Sequence, residues 1–194
     1  NYKAVPTWCI QGSRSGGEII MKSELIFSGI GGQGTILMGK MACTAAAKKG
    51  YNVTLSPAYG QEKRGGRASC QVVISEEMGS MMISAADTIL VMDEKSLKDY
   101  ESKVKPGGTL IINSSMIDTK ATRTDIKVVE IPFTEIATEV ATPKSANMVA
   151  LGAVVKTLDI ITLDDARAVI KMKMKPALVE ANIKALEAGY DYVK

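Results

Sequence analysis

The residues best placed to do chemistry form a glycine-rich run, Gly29-Ile30-Gly31-Gly32-Gln33-Gly34, directly after the apolar Leu25-Ile26-Phe27. In a dinucleotide-binding turn the first glycine of G-x-G-x-x-G permits the sharp exit from a strand. The second lets backbone approach a pyrophosphate, and the third lets the following helix pack on the strand. Gly29, Gly31 and Gly34 have that spacing, and a helix after them would aim free amides and a positive dipole end at an anion. The second half of the pattern is an acidic residue about 20 positions on, which holds the ribose hydroxyls. No Asp or Glu occurs between Glu24 and Glu62, and the second strand is expected to end at Ser56-Pro57. An NADP site through Arg64 or Arg67 is the dinucleotide reading that survives. The alternative is a glycine turn that lets the helix and a neighbouring surface pack closely.

Two further stretches have unusual chemistry. The polar run Ser56 to Cys70 contains Tyr59-Gly60-Gln61-Glu62-Lys63-Arg64-Gly65-Gly66-Arg67. Adjacent glycines flanked by arginines can present amides and guanidinium groups to an anion or carboxylate, or form a solvated turn between two strands. In Lys144-Ser145-Ala146-Asn147-Met148-Val149-Ala150-Leu151-Gly152, Asn147 precedes an apolar helix face. A glycine at position 152 lowers helicity and usually marks close backbone packing, whereas Asn147 is a buried polar contact to a ligand or a subunit if it is more than a core residue.

What the sequence lacks narrows the chemistry further. The chain has no histidine, which excludes a Ser-His-Asp triad, a histidine general base and a histidine-ligated zinc or haem. Cys9, Cys43 and Cys70 are too few and too scattered for a four-cysteine iron–sulfur cluster or a CxxC site. A net charge of +3 over 194 residues gives no reason to expect nucleic acid or a membrane surface as partner. No apolar run reaches the ~18 residues of a membrane span, and the expected location is the cytoplasm.

The elements that must position these residues alternate strand and helix. Strands are expected over 25–28, 51–55, 68–75, 88–92, 109–113 and 127–131, and helices over 33–49 and 94–104. Gly50 is a natural helix stop, and Pro106-Gly107-Gly108 reads as a turn. The C-terminal third carries helical spacing over 143–158 and 163–189, with Pro176 dividing the second stretch into two helices. This order predicts an α/β, Rossmann-like three-layer domain with a mostly parallel sheet covered on both faces. Residues 1–20, with the flexible Gly12-Ser13-Arg14-Ser15-Gly16-Gly17, read as a leader or appended tail.

Taken together, the three stretches resemble the gamma subunit of the 2-oxoacid:ferredoxin oxidoreductases, which act on pyruvate, 2-oxoglutarate, branched-chain 2-oxoacids or indolepyruvate. That family has a strand followed by GxGGQG, a tyrosine-glycine-x-glutamate-x-arginine-glycine-glycine loop, and an asparagine-bearing helix ending in leucine-glycine. Here these stand at 29–34, 59–66 and 147–152. Ala58, Gln61 and Lys63 depart from the serine, proline and apolar residue expected there.

The resemblance makes 21–194 a gamma domain. It implies a complex that turns a 2-oxoacid, coenzyme A and oxidised ferredoxin into acyl-CoA, carbon dioxide and reduced ferredoxin. Thiamine diphosphate and iron–sulfur clusters are implied on alpha, beta and delta partner chains, and no cofactor on this chain alone. The residues implied to face coenzyme A, the thiamine-bound intermediate or a partner are Gly31, Gly32, Gln33, Gly34, Tyr59, Arg64, Gly65, Gly66 and Asn147, none of them catalytic. The rival reading is a free-standing nucleotide-binding redox or sensor protein. The eleven methionines, among them Met81-Met82, suit adaptable contact surfaces, so the isolated chain is expected to form a homodimer.

Overall fold

A computed structural model describes residues 14–15, 18–19, 21–60, 65–77 and 83–193. Most of the expected leader, including Trp8 and Cys9, lies outside these residues, as do Arg64 and Met81-Met82. Within residues 1–20 the described strands are β1 (Arg14–Ser15) and β2 (Glu18–Ile19), a short antiparallel pair.

The main sheet has six strands: β3 (Lys22–Ile30), β4 (Asn52–Tyr59), β5 (Arg67–Ser75), β6 (Ala86–Val91), β7 (Val104–Asn113) and β8 (Lys127–Ile131). Their spatial order is β4-β5-β3-β6-β7-β8. The ladders β3–β6, β6–β7 and β7–β8 are parallel, whereas β5 runs antiparallel to both its neighbours. A mostly parallel sheet is thus present, with one reversed strand wedged between β3 and β4.

Helices α1 (Thr35–Lys48), α3 (Phe133–Val140), α4 (Ala146–Thr157), α5 (Leu163–Lys173) and α6 (Pro176–Tyr192) contribute to the larger core, against Leu25, Phe27, Val72, Ile74, Leu90 and Ile111. On the opposite face α2 (Glu94–Tyr100) and Ile117 cover a smaller core of Ile26, Ile89, Val91, Leu110 and Ile112. Strand residues therefore alternate between two dry faces, which is why Leu25-Ile26-Phe27 of β3 and Ile89-Leu90-Val91 of β6 are unbroken apolar runs. At the sheet edge β4 packs Val53 and Leu55 against the larger core and leaves Ser56 to Tyr59 exposed.

Several boundaries differ from the sequence expectation for identifiable reasons. The second strand continues through Ser56-Pro57 to Tyr59. The Gly60 amide donates to the Arg67 carbonyl, so bonded pairs recur every second residue and Pro57, opposite Cys70, falls between them. Its nitrogen faces the open edge, where no donor is missed. The Pro106-Gly107-Gly108 turn is instead absorbed into β7, whose pairing with β6 shifts register between Ala86 and Thr88. Helix α1 begins at Thr35, not Gln33, because the Gln33 amide closes a turn onto the Ile30 carbonyl.

Gly50 does stop α1. Its φ is +92°, and Tyr51 donates back to the Ala46 carbonyl. Pro176 opens α6, where its missing amide is not needed. The packing expected of Gly152 is also present. A Cβ there would lie 1.9 Å from the Leu186 carbonyl oxygen, and one on Gly189 would lie 1.9 Å from that of Val149, so α4 and α6 cross at backbone contact.

Candidate functional site

Helix α1 leaves β3 on one face of the sheet, and α2 leaves the adjacent parallel β6 on the other. The chain therefore reverses its winding between the C-terminal ends of β3 and β6, which is where doubly wound folds open a ligand crevice. The glycine run forms one bank, and Met92-Asp93 forms the other.

The loop is held from three sides. The Gly31 amide donates to the Gly66 carbonyl at 2.7 Å, and the Thr35 hydroxyl donates to the Ala68 carbonyl at 3.1 Å, joining the run to the start of β5. Gln33 spans the crevice. Its Oε1 accepts from the Ile30 amide at 2.7 Å and its Nε2 donates to the Met92 carbonyl at 3.4 Å. Asn147, near the start of α4, packs against Gly34, where a Cβ would come within 2.3 Å of Nδ2. Gly32 and Gly34 have φ values of +101° and +79°, in the region that glycine enters without strain.

The three stretches that were separate in sequence thus meet at one helix end. Gly31, Gly32, Gln33 and Gly34 form the turn, Gly66 braces it, and Asn147 covers its third glycine. Gly65 sits beside Gly66 with φ +67°, while Tyr59 closes β4 with 72% of its surface exposed. Arg64 lies outside the described residues. Arg67 pairs with Asp99 of α2, with both side chains partly exposed. The first turn of α1 contains no acidic residue and its N-terminus has no side-chain cap, which leaves the dipole end unneutralised.

Beneath the crevice lies a buried polar chain outside the three sequence stretches. Asp93 caps α2 by accepting from the Lys95 and Ser96 amides, and its second oxygen accepts from the Ser96 hydroxyl at 2.6 Å. Ser96 then meets Ser28 of β3 at 2.9 Å. The signal was present as Asp93 before a helix start. Asn113, at the end of β7, is also buried and donates to the same Met92 carbonyl as Gln33, at 3.4 Å.

The topology also bears on the dinucleotide reading. In a Rossmann unit the strand carrying the ribose-binding acid lies next to the glycine-loop strand. Here β5 separates β4 from β3, so the end of β4 stands two strand spacings away, about 10 Å. That end also carries no acid.

The two described cysteines are buried. Burial pushes the Cys43 thiol up to about 12 and the Cys70 thiol up to about 11, so both stay protonated and inert at neutral pH. Cys70 Sγ occupies the space a Cβ on Gly39 would need. Among the described residues no group of three His, Cys, Asp or Glu side chains is placed to hold a metal ion. None of the described helices is long and apolar enough to cross a membrane.

Fold and site together define a Rossmann-like α/β domain whose glycine loop is braced by a neighbouring strand and helix. Residues 24–192 match the pyruvate ferredoxin/flavodoxin oxidoreductase family, and the chain belongs to that family. Ketoisovalerate oxidoreductase subunit VorA of Methanothermobacter marburgensis is 34% identical over 172 residues, covering 86% of this chain but only 36% of VorA. The 2-oxoglutarate synthase subunit KorC of Methanocaldococcus jannaschii is 31% identical over 178 residues, covering 90% of this chain and 95% of KorC. The crystal structure of a keto/oxoacid ferredoxin oxidoreductase gamma subunit from Geobacter sulfurreducens superposes with a TM-score of 0.77. It is 30% identical to this chain, and the match covers 88% of this chain and 97% of that one. The chain therefore spans about a third of one relative's length and nearly the whole of the other two.

Proposed function

We propose that this chain is the gamma component of a cytoplasmic 2-oxoacid:ferredoxin oxidoreductase. The complex would oxidatively decarboxylate a 2-oxoacid with coenzyme A to acyl-CoA and carbon dioxide, and pass the electrons to ferredoxin. The observation that carries the reading is the convergence of the glycine run, the Gly65-Gly66 turn and Asn147 on the N-terminus of α1, in a chain with near end-to-end likeness to gamma-type subunits.

In this reading the chain does no bond-breaking. It contributes one wall of the chamber formed with alpha, beta and delta chains, which hold the thiamine diphosphate and the iron–sulfur clusters. Gly32 and Gly34 turn backbone amides toward an anionic group of coenzyme A, and the free dipole end of α1 favours that charge. Asn147 adds a neutral donor, and exposed Lys144, three residues earlier, adds a cation. Tyr59, Arg64 and Gly65 extend the contact along the β4–β5 turn, as an amphipathic ring, a guanidinium and a close backbone approach. Enclosure of the reacting groups keeps water from them.

The test is reconstitution with the partner chains and steady-state kinetics with coenzyme A varied. Omission of this chain abolishes acyl-CoA formation. Asn147→Ala and Lys144→Ala each raise the KM for coenzyme A several-fold, with kcat changed less. Activity without the chain, or an unaltered KM in both variants, refutes the reading.

A further inference from the structure

The side chain of Gln33 lies where a ligand's phosphate would be expected, and its bonding is internal. Its carbonyl oxygen accepts from the Ile30 amide at 2.7 Å on the β3 bank, and its amide nitrogen reaches the Met92 carbonyl at 3.4 Å on the β6 bank. A Cβ built on Gly29 would stand 2.5 Å from Gln33 Oε1 and 2.9 Å from the Met92 Cβ, so the first glycine gives room to this glutamine. The seat is prepared from the other side as well. Buried Asn113 fixes the same Met92 carbonyl, and its own Oδ1 accepts from the Ser115 amide at 3.3 Å.

We propose that Gln33 is a specificity-determining residue: a built-in occupant that closes the crevice between β3 and β6 and excludes a dinucleotide pyrophosphate. The carboxamide supplies both halves of what the crevice needs. Its oxygen replaces a phosphate oxygen as acceptor for the strand-end amide, and its NH2 satisfies the carbonyl across the gap, which a phosphate would repel. A glycine loop of dinucleotide spacing thereby serves a domain without dinucleotide chemistry.

The test uses the full 194-residue chain and the variant Gln33→Ala, with inorganic pyrophosphate and NADH as probes. In hydrogen exchange followed by NMR, the Ile30 amide of the variant exchanges at least ~10-fold faster, as loss of the Gln33 acceptor requires. Amides within α1 and β6 keep their protection. In thermal shift, pyrophosphate stabilises the variant, whose strand-end amide is then open to an anion, more than it stabilises the wild type. Gln33→Glu keeps the acceptor but turns a second oxygen to the Met92 carbonyl, so it protects Ile30 only in part and gains no response to pyrophosphate. An unchanged Ile30 exchange rate in folded Gln33→Ala overturns the plug. An equal response of wild type and Gln33→Ala to pyrophosphate, or micromolar NADH binding by the wild type, overturns the exclusion.

Discussion

Replacing Gly34 by alanine tests the meeting of the first and third sequence stretches. Two costs arise. The φ of +79° at Gly34 places a non-glycine residue in the left-handed region, at roughly 1–2 kcal/mol. The new Cβ would also fall 2.3 Å from Asn147 Nδ2, 3.1 Å from its Cγ and 3.2 Å from its Cβ. Asn147 must shift as a whole to relieve these contacts, so overpacking adds about 1–3 kcal/mol. Gly34→Ala is therefore expected to destabilise the chain by about 2–5 kcal/mol. Asn147→Ala alone removes a half-buried side chain and costs about 1 kcal/mol. In the double variant the contacts with Nδ2 and Cγ disappear, while the 3.2 Å approach to the Cβ and the left-handed strain persist. A coupling of about 1–2 kcal/mol should then appear as a double variant more stable than the sum of the singles. The assay is urea denaturation of all four proteins, read as midpoint shifts at constant slope. Strict additivity would refute the contact between Asn147 and Gly34.

Other consequences are testable with the same protein. Gly152→Ala and Gly189→Ala each drive a Cβ into a backbone carbonyl 1.9 Å away, which no rotamer change relieves. Each should cost about 3 kcal/mol or more by urea denaturation. The Cys43 and Cys70 thiols, held at about 12 and about 11, should resist iodoacetamide at pH 8 in the native chain and react within minutes in urea, as counted by mass spectrometry. Burial works to raise the Glu24 carboxyl, but hydrogen bonds from Lys105 and Lys22 outweigh it and hold the group below its ordinary 4.5. Its contribution is therefore complete above pH 4.5 and is lost as pH falls through the lower folded value. Acid titration of Glu24→Gln should show a shallower loss of stability in that window than the wild type.

The parts of this fold legible in the sequence are those fixed by local chemistry. Gly50 stops a helix because it alone accepts φ +92° without strain, and Pro176 starts one because its missing amide is already an orphan. Gly152 marked a close crossing that is present. The glycine run could be read as a strand-to-helix turn, and the three stretches that meet around it could each be singled out. What could not be read was set by pairing between distant segments. The reversal of β5 leaves no trace in composition, since a strand buried on both faces is apolar in either direction. Passage of β4 through Pro57 depends on which edge its nitrogen faces, which is known only once the partner strand is known. The internal bonding of Gln33 requires Met92, 59 residues away in sequence. The helix over Phe133–Val140 is not legible in the sequence because Pro132 precedes it and Pro143 follows within three residues of its end, which reads as loop punctuation.

The reversed strand also constrains the order in which the sheet can be built. In most doubly wound domains the first crossover returns its strand to the side of the strand it left, so the sheet grows outward from a β-α-β unit. Here β3 and β4 never touch, and β5 bonds to both along nearly its whole length, from Ile30↔Arg67 to Lys22↔Ser75 on one side and from Tyr59↔Ala68 to Asn52↔Ser75 on the other. The β4–β5 pairing is local, whereas each β3–β5 pair closes a loop of 37 residues or more, with α1 inside it. Loop-closure entropy favours the hairpin first, with β3 docking onto it afterwards. The glycine run, which bonds to Gly66 in the hairpin turn, therefore takes its shape only after that hairpin, and a chain released before residue 75 exposes the apolar flank of β3 with no strand to cover it.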